Sequence, residues 1–146
     1  MTEMPEYEVY AIKYGDHKRM RQENFLFKDP HDEASSIDFM IWVIQGGGKT
    51  YVIDVGFEQK EAEARGRSLH RLPSEAVRML GGEPDKIEDV IISHMHYDHC
   101  GDLSSFPNAK FYLQDREMSY CTGRCMMHAP LRHPYAVDYV VDMVRL

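Results

Sequence analysis

The stretch Asp89–Asp102, DVIISHMHYDHCGD, carries three histidines and an aspartate within the six residues HMHYDH, out of eight histidines in the whole chain. The run before them, VIIS (Val90–Ser93), is apolar and ends in a hydroxyl. It reads as a short strand buried on both faces. The histidines therefore begin where a central strand ends, which is where α/β folds collect their ligand sites. If the backbone stays extended past Ser93, the two-residue period puts His94, His96 and Asp98 on one side, with Met95 and Tyr97 on the other. A turn at Cys100-Gly101 then brings His99 toward the same point. Imidazole nitrogen and carboxylate oxygen are ligands that zinc accepts, and one such loop has donors enough for two adjacent ions. Without a metal, protonated imidazoles this close would repel one another. The competing reading is a solvent-exposed histidine patch, against which the preceding strand and following glycine both argue. Met95 and Tyr97 read as packing residues, and Cys100 as a buried thiol.

Upstream, YEVYAIKY (Tyr7–Tyr14) has the β-branched and aromatic content of a strand. The polar segment from Gly15 to Ser36, punctuated by Gly15 and Pro30, reads as a long loop whose basic run HKRMR is a solvated face. IDFMIWVI (Ile37–Ile44) and KTYVIDV (Lys49–Val55) flank QGGG, so an antiparallel pair is expected. GGGKT lacks the spacing of a phosphate loop and leads into a strand rather than a helix. LPSEAVRMLGG supplies a short amphipathic helix, with Ser74 as N-cap, a stripe of Leu72, Val77 and Leu80, and Gly81-Gly82 as its stop.

Downstream, CTGRCMMHAPLRH offers Cys121, Cys125, His128 and His133, but the spacing between its pairs is short for a structural zinc site. A loop lining the substrate pocket is the preferred reading, or a subunit contact, which leaves a homodimer open. HPYAVDYVVDMVRL has Ala136, Val137, Val140, Val141 and Val144 at helical spacing.

A chain of 146 residues with 43% apolar and 28% charged residues is ordinary for one soluble domain. Its formal charge of −7 opposes a polyanion, so nucleic acid is excluded as a first-choice partner. The sequence has no apolar run of membrane-spanning length, and MTEMPEYEVY lacks the look of a secretory signal. Three cysteines without framework spacing suit a reducing compartment. A cytoplasmic location is expected.

The motif SHMHYDHCGD resembles the H-x-H-x-D-H signature of the metallo-β-lactamase superfamily, and YVIDVG (Tyr51–Gly56) resembles its upstream strand ending in Asp-x-Gly. With FPNAKFYLQDREM (Phe106–Met118), the order of elements is most similar to the N-acyl-homoserine-lactonase-like branch. The resemblance implies an α/β (α+β) fold, the αββα sandwich, of which residues 1–146 form a single domain truncated at the C-terminus, its N-terminal half. It further implies that His94 and His96 ligate one zinc or other divalent ion, that Asp98 and His99 ligate a second, and that a hydroxide bridges them. Asp98 has an added role in passing a proton to the leaving oxygen. Asp54 is either a carboxylate orienting a ligand histidine or a turn aspartate ending its strand. The remaining ligands of a complete site fall in a second half beyond Leu146. The function implied is opening of a lactone ring in a small-molecule ester or lactone. Hydrolysis of a thioester in the manner of glyoxalase II, or an inert metal-binding fragment, are the alternatives.

Overall fold

Six strands form one sheet. In the computed structural model, which describes residues 4–27 and 30–146, these are β1 (Tyr7–Met20), β2 (Ala34–Gly46), β3 (Lys49–Ile53), β4 (Ser68–Leu69), β5 (Asp89–Ile91) and β6 (Lys110–Tyr112). Their order across the sheet is β4-β1-β2-β3-β5-β6. The β1, β2 and β3 neighbours run antiparallel, and β3, β5 and β6 run parallel. The expected pairing of the second and third strands is present, closed by Gly47 and Gly48 at φ 57° and 75°. Two consecutive residues at positive φ are what a tight hairpin turn of matching twist demands, so the glycines serve the turn and not a phosphate.

The long-loop reading of residues 15–36 is corrected. β1 continues to Met20 and pairs along its length with β2, which begins at Ala34. The part of that expectation falling on Lys28 and Asp29, like the reading of the first three residues, lies outside the described residues. The polar second half of β1 is a strand because it has a partner. Its register slips between Lys13 and Gly15, which makes Tyr14 an extra residue in a β-bulge. The bulge changes which residues face inward: before it Tyr10 and Ile12 pair with buried Val43 and Ile41, and after it Gly15 and His17 pair with Phe39 and Ile37. His17 and Arg19, taken from the sequence as solvated, are thereby half-buried.

The sheet has two unlike faces. On the inner face Tyr10, Val43, Val52, Val90 and Phe111 lie in one cross-strand row, and Val43, Val52 and Val90 are fully buried. On the outer face the neighbouring row is Ala11, Trp42, Ile53, Ile91 and Tyr112. Trp42 is 44% exposed and Ile91 39%. The expectation that VIIS is buried on both faces therefore fails at Ile91: Val90 and Ile92 turn inward, while Ile91 faces the open side.

Helices cover the inner face. The first, α1 (Gln59–Arg65), was not anticipated; Glu61 and Arg65 pair one turn apart, and it ends at Gly66 with φ 63°. The second, α2 (Pro73–Met79), sends Ala76 and Val77 into the core. Ser74 is not its N-cap, because Pro73 takes the first helical position and Leu72 the cap. Instead Glu75 accepts a hydrogen bond from Leu72 N–H at 2.7 Å, and the buried Ser74 donates its N–H to Asp102 at 3.0 Å. After β6 come α3 (Asp115–Cys121), α4 (Ala129–Arg132) and α5 (Val137–Arg145). The buried side of α5 is Tyr139, joined by Ala136 just before it and by partly buried Val140 and Met143; Val137, Val141 and Val144 are exposed, so the stripe read from sequence is rotated. Tyr139 displaces the valines because its ring packs against the backbone at Gly101, and its hydroxyl accepts the Glu58 N–H at 3.1 Å. No helix among the described residues is long and apolar enough to cross a membrane.

Candidate active site

The chain leaves β3 at Ile53 and β5 at Ile91, two parallel neighbours, so both exits lie at the same end of the sheet. The segments that follow are knitted together by backbone hydrogen bonds: Asp54 N–H to Ile91 O, Val55 N–H to His99 O, Asp102 N–H to Val55 O and Gly101 N–H to Gly56 O, between 2.6 and 2.9 Å. This close approach demands glycine twice. A Cβ on Gly101 would stand 2.7 Å from Phe57 Cα and 2.8 Å from Gly56 O. Gly56, at φ 55°, would place a Cβ 2.8 Å from the Tyr14 ring.

Past Ile91 the chain behaves as the two-residue period predicts. Met95, Tyr97 and Cys100 are buried, while His94, His96, Asp98 and His99 are partly exposed. The His94 ring lies 4.5 Å from that of His96 and 3.9 Å from that of His99, centroid to centroid. His99 Nε2 is 3.5 Å from Asp98 Oδ2. All four side chains of the sequence motif are thus brought together.

Asp54 joins them from the other strand. It is buried at 4% exposure, and among the described residues it is the non-glycine one with positive φ, at 65°. Aspartate tolerates that conformation better than most residues, at a cost of about 1–3 kcal/mol that the surroundings must outweigh. Its Oδ1 accepts from Ser93 N–H at 2.7 Å; its Oδ2 accepts from Ser93 Oγ at 2.8 Å and lies 2.7 Å from His99 Nδ1. An arrangement of this kind lets a carboxylate orient a histidine ring: Nδ1 of His99 meets Asp54, and Nε2 lies nearer Asp98.

The family profile described as the metallo-beta-lactamase superfamily matches residues 40–120, from β2 into α3. The chain belongs to this superfamily. Among curated proteins, the N-acyl homoserine lactonase AttM of Azorhizobium caulinodans is 43% identical over 44 residues, 30% of this chain and 17% of that protein. The AttM of Agrobacterium fabrum is 39% identical over the same length, with the same coverage of both chains. Among solved structures, a quorum-quenching N-acyl homoserine lactone lactonase superposes with a TM-score of 0.71 at 17% identity, covering 91% of this chain and 52% of that one. AidC, a dizinc quorum-quenching lactonase in complex with a product, gives 0.65 at 17% identity, covering 95% and 53%. At such identity the likeness is one of fold: this chain has the metallo-β-lactamase fold and spans about half the length of those structures.

Superfamily membership raises the question of whether the cluster suits divalent ions. Three imidazoles and a carboxylate are a borderline donor set that zinc accepts. Burial, seconded by neighbouring imidazoles for His94, pushes His94 and His96 below the ordinary histidine value, so both are neutral near pH 7, the state in which a ring nitrogen can bind a metal. Burial would lower His99 too, but Asp54 and Asp98 outweigh it and lift His99 to about 9. Burial would raise Asp98, and the His99 partner more than reverses that. A metal at His99 therefore has to displace a proton. Among the described residues, no three histidine, cysteine, aspartate or glutamate side chains stand as a ready-made cage. The donors fit the group in kind and are packed against one another, with rotation of the rings still required.

The second candidate set does not assemble. Cys121 is buried as the last residue of α3, Cys125 is half-buried, and His128 and His133 are exposed. Cys100 is fully buried, with its thiol pushed well above the usual range by that burial, which fits a packing role.

Three supports of the loop escaped the sequence reading. Tyr14, aimed inward by the bulge, donates its hydroxyl to the Asp98 carbonyl at 2.7 Å. The signal was Gly15 inside a strand pattern, which marks a bulge as readily as a loop. Asp102, buried, accepts from Ser74 N–H and from Ser105 Oγ at 2.5 Å, tying the loop's far end to α2. Glu117 on α3 accepts the Met95 N–H at 2.9 Å, and no local pattern announces it.

Proposed function

We propose that this chain supplies the histidine loop of a metal-dependent hydrolase that opens a lactone ring, with an acyl-homoserine-lactone-like ester as substrate. The observation that carries this reading is the meeting of His94, His96, Asp98 and His99 over the carboxylate of Asp54 at the exits of two parallel strands. The lactonase relatives support the choice of substrate class. In this reading His94 and His96 hold one ion and Asp98 and His99 the other, with Asp54 fixing the ring of His99. Zinc is the metal proposed, on the strength of the donor set and the dizinc neighbour. Divalent ions bound there would polarise the ester carbonyl, make a water acidic and neutralise the departing oxygen. Asp98, an ionised carboxylate at the cluster, would take the proton released by the attacking water and hand it to the ring oxygen as that bond breaks. The three free cysteines suit a reducing compartment, and a cytoplasmic location is part of the proposal.

The test pairs metal content with substrate choice. The purified chain is loaded with zinc, its metal is counted, and turnover of an acyl-homoserine lactone is compared with that of an acyl-glutathione thioester. About two ions per chain and cleavage of the lactone is the expected result. Preferential thioester cleavage would replace the lactonase reading by the glyoxalase II-like one. Absence of both metal and turnover would leave an inert fragment.

A further inference from the structure

We infer that Glu117, acting through Tyr135, is a positioning residue that fixes the imidazole of His96 in one orientation. The inference deepens the reading of His96 as a metal-binding side chain and rests on it for its consequence in metal affinity.

A single carboxylate oxygen of Glu117, Oε1, accepts two hydrogen bonds. One is from the N–H of Met95 at 2.9 Å, in the peptide that joins it to His94; the other is from the hydroxyl of Tyr135 at 3.2 Å. Tyr135 is buried, and its ring meets that of His96 edge to face, with centroids 4.9 Å apart and planes at 88°. The two residues also form an isolated antiparallel bridge, and Tyr97 donates its N–H to Pro134 O at 2.8 Å. From the opposite side Arg65 of α1 donates to His133 O at 2.8 Å and to Tyr135 O at 3.3 Å, while its guanidinium lies 4.1 Å from the centre of the Tyr97 ring.

The segment 133–135 is therefore clamped between α1 and α3 and pressed on the histidine loop. The Tyr135 ring is held at both ends, by its backbone and by its hydroxyl. Such a ring limits the rotation of the imidazole packed against its face or edge. Among the described residues no carboxylate meets a His96 ring nitrogen as Asp54 meets His99, so the aromatic wall and the anchored Met95 N–H take that place. An orienting partner of a metal-binding histidine is commonly worth about 10- to 100-fold in metal affinity.

The experiment uses the full chain labelled for NMR, with the variants E117A, E117Q and Y135F, each first checked for an unchanged far-UV spectrum. Two quantities are read: nuclear Overhauser contacts between the His96 and residue 135 rings without metal, and the zinc dissociation constant. Glutamine keeps an oxygen acceptor for both donors, so E117Q should stay close to the parent. E117A should lose the single His96 orientation and weaken zinc binding about tenfold or more. Y135F keeps the ring and should fall between the two. A merely structural Glu117 would lower the melting temperature while leaving both the contacts and the affinity unchanged, and that result overturns the inference. Should the parent chain take up no zinc, the proposed function fails on its own. The ring contacts still decide the inference: loss in E117A upholds it and persistence overturns it.

Discussion

Asp54 and His99 are 45 positions apart in the chain, yet the carboxylate of one lies 2.7 Å from Nδ1 of the other. In the metal-free chain this pairing, with Asp98 on the other nitrogen, holds His99 protonated up to about 9. A folded value above the unfolded one contributes stability that is whole below about 6.5 and lost as pH rises through about 9. Histidine-selective NMR titration should find that high midpoint for His99, with His94 and His96 titrating below the ordinary value. In D54N, which keeps a residue tolerant of positive φ, the His99 midpoint should fall toward that of a free histidine.

Asp16 gives the acid side of the same logic. His70 at 2.7 Å, then Lys13, hold its carboxyl down at about 2. Because the folded value is depressed, the contribution is present above about 4 and disappears as pH falls through about 2. Urea midpoints measured from pH 5 to pH 2 should drop more steeply for the parent than for D16N, and the two curves should converge at the acid end.

Removal of Asp102 should be costly for a stated reason. Its carboxylate is buried and serves the Ser74 N–H and the Ser105 hydroxyl. D102A leaves a buried donor on α2 without a partner, which amounts to about 1–3 kcal/mol in equilibrium unfolding. D102N, retaining one acceptor, should lose less.

At the bulge, Y14F deletes the hydroxyl that reaches the Asp98 carbonyl and should cost about 1 kcal/mol. G15A should be worse, since its Cβ would sit 2.6 Å from the Ser68 carbonyl and push β4 off the sheet edge. Comparing chemical denaturation of the two variants separates the hydrogen bond from the backbone fit.

The single tryptophan reports on the outer face of the sheet. Trp42 sits between Ala11 and Ile53 in the exposed apolar row. Its emission should be red-shifted and readily quenched by acrylamide. The row should also bind an apolar dye, and I91K should weaken that binding without altering the inner core.

Local signals carried much of this molecule. The histidine loop was legible because alternation is a property of adjacent residues, and the β2–β3 hairpin because its glycines sit between two apolar runs. What stayed hidden depends on partners distant in sequence. Residues 15–20 look like a loop until β2 is seen beside them, and the inward face of α5 is chosen by Tyr139 meeting Gly101 rather than by its valines. Ser74 reads as a cap only if Pro73 is overlooked. Of the supports around the cluster, Asp54 was legible as one of two alternatives, while Tyr14, Glu117 and Tyr135 gain meaning only through contacts 18 to 84 positions away.

The order in which these ties lie along the chain has a consequence for synthesis. A nascent chain emerging from the ribosome presents Tyr14, Asp54 and α2 first, so the histidine loop finds its inner anchors once Asp102 has emerged. The outer clamp cannot close until Tyr135 has been translated and has met Glu117 and Arg65. Ribosome-stalled chains whose emerged part ends between these two points would hold the imidazoles close together but not yet aligned.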